Sequence, residues 1–136
     1  MARPNIGGIL KIMDDLALNL ADRLENFPVS QLNGPGLRYA FWVQGCTLRC
    51  TTDCLNPDYL DTAPKVVLPV RQVADYILHL QASYHIEGVT FLGGEPFDQA
   101  AALAILGQWV QAAGLSVVTY SGYTVEELHQ AADPGW

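Results

Sequence analysis

Apolar residues recur along this chain in short blocks whose spacing alternates between helical and strand periods. Between Gly8 and Leu24 both periods coexist. Ile9, Ile12, Met13, Leu16, Leu20 and Leu24 form a helical stripe, while Leu16, Leu18 and Leu20 alternate as a strand does. Periodicity leaves helix and strand open there. Asn33-Gly34-Pro35-Gly36 is a turn, two glycines around a proline that fixes φ. Leu37 to Val43 predicts a buried strand ending just before Cys46, and a loop follows through Asn56-Pro57 up to Pro64. Pro69 suits the first turn of a helix whose apolar stripe is Val70, Val73, Ala74, Ile77, Leu80 and Tyr84. Gly88 to Leu92 predicts a second strand, terminated by Gly93-Gly94-Glu95-Pro96. Asp98 to Ala113 predicts a very apolar helix that stops at Gly114. Leu115 to Tyr120 predicts a third strand closed by Ser121-Gly122, and Thr124 with Glu127 forms a capping box for a last helix.

Strands alternating with helices give an α/β fold with parallel strands joined by right-handed crossovers. The 136 residues suit one domain, with a strand and turn region over 1–36 and a β/α core over 37–136. The cysteine loop, Gly93-Gly94-Glu95 and Ser121-Gly122 all fall at the C-terminal ends of their strands, the edge where α/β folds bind ligands. The apolar strand Leu115 to Tyr120, with only a helix after it, is expected to be a sheet edge open to pairing with another chain.

Half of the residues are hydrophobic and 15% charged, a globular composition. The net charge of −7 argues against nucleic acid as a partner, because phosphate binding needs clustered Lys and Arg. No apolar run approaches the ~20 residues of a membrane span, and the N-terminus lacks a signal-peptide core. A reducing cytoplasm is the expected compartment, where clustered cysteines bind metal or do chemistry more often than they form disulfides.

All three cysteines lie within nine residues, as Cys46-x-x-x-Cys50-x-x-x-Cys54. Thiolates so close can converge on one centre from a single loop. Four would close a structural zinc site; three leave a position open on zinc or on an iron–sulfur cube. A disulfide with one spare thiol, a zinc site completed by a histidine and inert buried cysteines are the competing readings. His79, His85 and His129 lie far off in sequence, in no ligand-like spacing, and carry no assigned chemistry.

Gly93 and Gly94 let backbone come close to a ligand, and Glu95 sets a carboxylate suited to an ammonium beside them. The plainer reading is a tight strand-to-helix turn with an acid at a helix N-terminus. Arg38 reads as a solvated charge at a strand edge, Tyr120 to Tyr123 as a turn with half-buried aromatics, and Trp42 and Trp109 as core.

Taken together, Asn33-Gly34-Pro35-Gly36-Leu37-Arg38, Phe41-Trp42-Val43-Gln44-Gly45-Cys46, Cys50, Cys54, Asn56-Pro57 and Gly93-Gly94-Glu95-Pro96 resemble the radical S-adenosylmethionine enzymes. The nearest branch is the small glycyl-radical activases of the anaerobic ribonucleotide reductase type, over about Leu16 to Leu128. The resemblance implies a partial (β/α) barrel, C-terminally short, as a piece of a longer chain or a barrel cut short. It favours a strand over Leu16 to Ala21. It also implies that Cys46, Cys50 and Cys54 hold a [4Fe-4S] cluster whose fourth iron is chelated by S-adenosylmethionine. Gly93, Gly94 and Glu95 would receive the methionine ammonium, and Ser121 would approach the ribose. The implied activity is reductive cleavage to methionine and a 5′-deoxyadenosyl radical, which takes a hydrogen from a glycyl-radical enzyme. Flavodoxin or ferredoxin would be the electron donor. Maturation of a peptide or small molecule, or a non-catalytic iron–sulfur (or zinc) interaction module, are the alternatives. One departure stands out: the family pattern is C-x-x-x-C-x-x-C, and here Thr51-Thr52-Asp53 adds a residue between the last two cysteines.

Overall fold

The computed structural model describes residues 6–46 and 60–130. Its elements are α1 (Ile6–Asp15), β1 (Ala17–Leu20), β2 (Val29–Ser30), β3 (Arg38–Val43), β4 (Val66–Pro69), α2 (Val70–Tyr84), β5 (Gly88–Gly93), α3 (Ala100–Ala112), β6 (Ser116–Thr119) and α4 (Val125–Gln130). Short 3-10 turns occupy Leu24–Asn26 and Pro96–Gln99. The ambiguous N-terminal stretch is a helix and then a strand. The last helical bond runs from Leu16 N to Ile12 O at 2.9 Å, and Leu18 and Leu20 then point into the core.

The six strands make one sheet in the order β4-β1-β3-β5-β6, with β2 beside the lower part of β3. Only part of the expected topology is present. β3, β5 and β6 are parallel, with Arg38 opposite Gly88 and Val43 opposite Gly93. β1 is antiparallel to both β3 and β4, and β2 is antiparallel to β3. The sheet is therefore mixed, and among the described residues it is open rather than barrel-like. The reason is local. The chain returning from the cysteine loop forms β4, a strand not foreseen, and pairs Ala17 with Pro69 through Leu20 with Val66 before α2 begins.

Helices α1, α2 and α3 pack on one another and on one face of the sheet. Tyr39, Phe41 and Val43 of β3, Val89 and Phe91 of β5, and Leu18 and Leu20 of β1 face them, joining Met13, Val73, Ile77, Leu103, Leu106 and Val110 in a single core. Phe41 and Phe91 touch across the parallel ladder with centroids 5.1 Å apart. The α2 stripe is buried as expected from Val70 to Leu80, but Tyr84 in the last turn is 59% exposed. α3 starts at Ala100 rather than Asp98, because the Asp98 amide turns back to the Glu95 carbonyl at 3.0 Å.

Strand alternation sends Arg38, Ala40 and Trp42 to the opposite face. Arg38 is 1% exposed and not solvated as expected. Its Nε donates to Thr90 Oγ1 at 2.9 Å, and its terminal nitrogens donate to the carbonyl oxygens of Pro35, Val89 and Ser116 and to Ser116 Oγ. One side chain from β3 thereby reaches across β5 to β6. Burial pushes its guanidinium below the usual value, with Tyr120 and Glu87 acting the other way. Gly88 leaves room for it, since a Cβ there would run into the guanidinium and force it to shift. The turn Asn33-Gly34-Pro35-Gly36 wraps the same group.

Candidate functional site

The C-terminal ends of the three parallel strands gather the predicted residues at one edge. β3 ends at Val43 and leads through Gln44 and Gly45 to Cys46, which is buried at 7% exposure. β5 ends at Gly93, where the chain turns through Gly94 and Glu95. The two ends are sewn together by backbone: Gly94 N donates to Val43 O at 3.0 Å, and Glu95 N to Gly45 O at 2.9 Å. Gly93 has φ +119, and a Cβ on it would lie 2.2 Å from Val43 O. Its missing side chain therefore lets β5 close onto β3.

Glu95 is 1% exposed, and both carboxylate oxygens are engaged. Oε1 accepts from Ser121 Oγ at 2.5 Å and from Gly122 N at 2.8 Å, and Oε2 accepts from Phe97 N at 3.1 Å. This carboxylate is a tie between the turn after β5 and the loop after β6. Ser121 Oγ in turn accepts from Tyr123 N at 3.0 Å. An ionised carboxylate offers about four acceptor sites, and three are filled from the protein itself.

Three amide side chains complete the edge, none of them singled out from the sequence. Gln99 donates from Nε2 to Asn19 O and Gln44 O, and its Oε1 accepts from Asn19 N. Gln44 Nε2 donates to Asp61 O at 2.9 Å, and Asn19 holds Ala63 and Lys65. Amides at strand ends carry no periodic signal, so only their neighbourhood to the cysteines marks them. Tyr123, read from sequence as an ordinary half-buried aromatic, also belongs here. Burial and then Asp98, Glu95, Cys46 and Glu127 push its phenol up, so it stands within electrostatic reach of Cys46 and Glu95.

Cys50 and Cys54 lie outside the described residues, so of the three thiols only Cys46 is placed. The donor set fits an iron–sulfur cluster: three thiols from one loop, the first of them buried at a strand end against a bare glycine turn. A zinc site completed by His79 or His85 does not fit. Both are exposed, His79 in the C-terminal half of α2 and His85 just after its end, toward the start of β5 and so away from the strand ends that carry Cys46. Among the described residues no helix is long and apolar enough to cross a membrane.

Comparison with known proteins gives the same direction. The family model for the 4Fe-4S single cluster domain matches residues 32–134. The anaerobic ribonucleoside-triphosphate reductase-activating protein of Enterobacteria phage T4 is 29% identical over 108 residues, 76% of this chain and 68% of that one. A pyruvate formate-lyase-activating enzyme of Staphylococcus epidermidis is 37% identical over 87 residues, 62% of this chain and 34% of that one. Its counterpart in Staphylococcus aureus is 39% identical over 71 residues, 50% of this chain and 28% of the enzyme. The aligned part thus spans about a third of the two staphylococcal enzymes. The resemblance to radical S-adenosylmethionine activases read from the motifs is borne out.

Proposed function

The chain belongs to the 4Fe-4S single cluster domain family, and from that premise we propose that it is a radical S-adenosylmethionine enzyme that activates a glycyl-radical enzyme. Cys46, Cys50 and Cys54 would hold the cluster, and the turn Gly93-Gly94-Glu95 would receive the methionine ammonium. Ser121, tied to Glu95, would lie toward the ribose. The cluster those cysteines would hold would supply the electron for reductive cleavage of S-adenosylmethionine to methionine and a 5′-deoxyadenosyl radical, the species that would take a hydrogen from a glycine of the partner.

The observation that carries this reading is the gathering of Cys46, Gly93 to Glu95 and Ser121-Gly122 at one strand edge, with Glu95 N bonded to Gly45 O and Glu95 Oε1 bonded to Ser121 and Gly122. The protein's own part is positional. β3 and β5 fix where the first thiol stands relative to the glycine turn, and Glu95 fixes the loop after β6 against both. Burial of Cys46 and Glu95 keeps water from this seam. The names of the relatives support a glycyl-radical enzyme as partner, ribonucleotide reductase or pyruvate formate-lyase among them. A flavodoxin or ferredoxin would bring the electron.

A second reading, an iron–sulfur module without radical chemistry, is favoured by the extra residue in Thr51-Thr52-Asp53. One experiment separates the two. Anaerobic reconstitution is expected to load about four irons and four sulfides per chain. Under a strong reductant the loaded protein should turn S-adenosylmethionine into methionine and 5′-deoxyadenosine. Cys46→Ala, Cys50→Ala and Cys54→Ala should each abolish both. Full loading without any cleavage would leave the module reading standing.

A further inference from the structure

We infer that Gln99 is a positioning residue which joins the cofactor-binding turn to both limbs of the cysteine loop. The inference rests on the site reading given above and concerns how this chain holds its two halves in place.

Gln99 closes the 3-10 turn Pro96–Gln99, four residues after Glu95 and immediately before α3. Its amide behaves as a peptide group supplied by a side chain. Oε1 accepts from Asn19 N at 2.9 Å, and Nε2 donates to Asn19 O at 3.0 Å. That exchange of two bonds with one residue is what a neighbouring strand would offer. It occurs where the pairing of β1 with β3 ends: past Leu20 and Val43, Gln44 N still donates to Asn19 O at 2.8 Å, but Asn19 N and Gln44 O do not meet each other and the Gln99 amide bonds both. The second hydrogen of Nε2 goes to Gln44 O at 3.1 Å, two residues before Cys46.

From these two contacts the bridge runs into the cysteine loop on both sides. On the outgoing limb lie Gln44 and Cys46. The returning limb is caught three times: Cys46 N donates to Leu60 O at 3.2 Å, Gln44 Nε2 to Asp61 O, and Asn19 holds Ala63 and Lys65 through both ends of its side-chain amide, at 3.1 and 2.8 Å. Asn19 thus passes the contact from Gln99 to residues that lie after the third cysteine. None of the three amides titrates, so the link is independent of pH.

A ligand that touches both the cluster and the Gly93 to Glu95 turn demands a fixed distance between them. Displacement of about 1 Å in such an arrangement costs on the order of a hundredfold. Groups around a metal's own ligands set its orientation and potential in the same way.

The test compares wild-type protein with Gln99→Met, which keeps the length of the stem and removes all three bonds. Three readouts are used: hydrogen exchange of the amides of residues 60–65 in cluster-free protein, the electron paramagnetic resonance spectrum of the reduced cluster with and without S-adenosylmethionine, and calorimetric titration with S-adenosylmethionine. The variant should load its cluster, exchange faster over 60–65, bind S-adenosylmethionine at least about tenfold more weakly and show a smaller spectral change on binding it. A folded Gln99→Met whose exchange, affinity and spectral change all match wild type would overturn the role. If Gln99→Met does not fold, Gln99→Glu keeps the stem and the acceptor for Asn19 N, loses both donors, and is judged on the same readouts. Should cluster-loaded wild type bind no S-adenosylmethionine, the functional reading fails, and the exchange rates over 60–65 alone decide on Gln99.

Discussion

Tyr39 is fully buried on β3, its ring beside Phe41 and Tyr76 and its hydroxyl donating to Leu24 O at 2.7 Å. Burial, with smaller contributions from Tyr76 and Glu25, pushes its phenol far above the usual value of about 10. The proton is therefore kept in the folded chain at pH values where the unfolded chain has already lost it. The associated stability is complete below about pH 10 and falls as pH rises from there. Unfolding by urea at pH 8 and pH 11 should show a lower midpoint at the higher value, and Tyr39→Phe should shrink that difference. An equal alkaline loss in Tyr39→Phe would place its origin elsewhere. Tyr39 and Arg38 are neighbours in sequence with opposite solutions to burial. One hides a neutral phenol behind a single hydrogen bond. The other hides a full charge by giving every guanidinium nitrogen an oxygen acceptor.

At the scale of elements, the turn after β5 and the loop after β6 behave as one unit because Glu95 belongs to both. Glu95→Gln keeps an oxygen for Ser121 and Gly122, but its new N–H group faces the donor Phe97 N. Unfolding of the cluster-free protein should show a loss of about 1–3 kcal/mol. Ser121→Ala in the same background should lose less than in wild type, with a coupling of about 0.5–3 kcal/mol, while strict additivity would deny the tie. In reconstituted protein the same Glu95→Gln should leave the iron content unchanged and weaken S-adenosylmethionine binding. Much of this arrangement was legible beforehand. β3, β5, β6, α2 and the Thr124–Glu127 cap are strongly patterned, and the chemistry-bearing residues stand at strand ends, so the edge that collects them could be named. The strands β2 and β4 could not. Val29–Ser30 is too short for a period, and Val66–Pro69 runs without a break into α2. The burial of Arg38 was also hidden, because nothing in the string Gly-Leu-Arg-Tyr says that Thr90 and Ser116 will stand within reach.

For the molecule as a whole, β6 is one edge of the described sheet, with β4 at the other. Val117 and Val118 are half-buried, and a groove lined by Phe91, Leu103, Gly107 and Val117 runs beside it. Strands of this kind accept a further strand. Light scattering over a concentration series should reveal self-association, and Val118→Lys should reduce it. A monomer at every concentration would show the edge to be covered. The manner of any such association is already set by how β6 is fastened. Its foot is gripped by Arg38 through Ser116 and its head by Tyr120 N on Phe91 O and by Glu95 on Ser121 and Gly122. Two molecules meeting here could extend each other's sheet, but neither could lend out its own sixth strand without first breaking the grips at both ends. Exchange of that strand would require both grips to open first, so assemblies formed by simple edge pairing should come apart on dilution with each chain still folded.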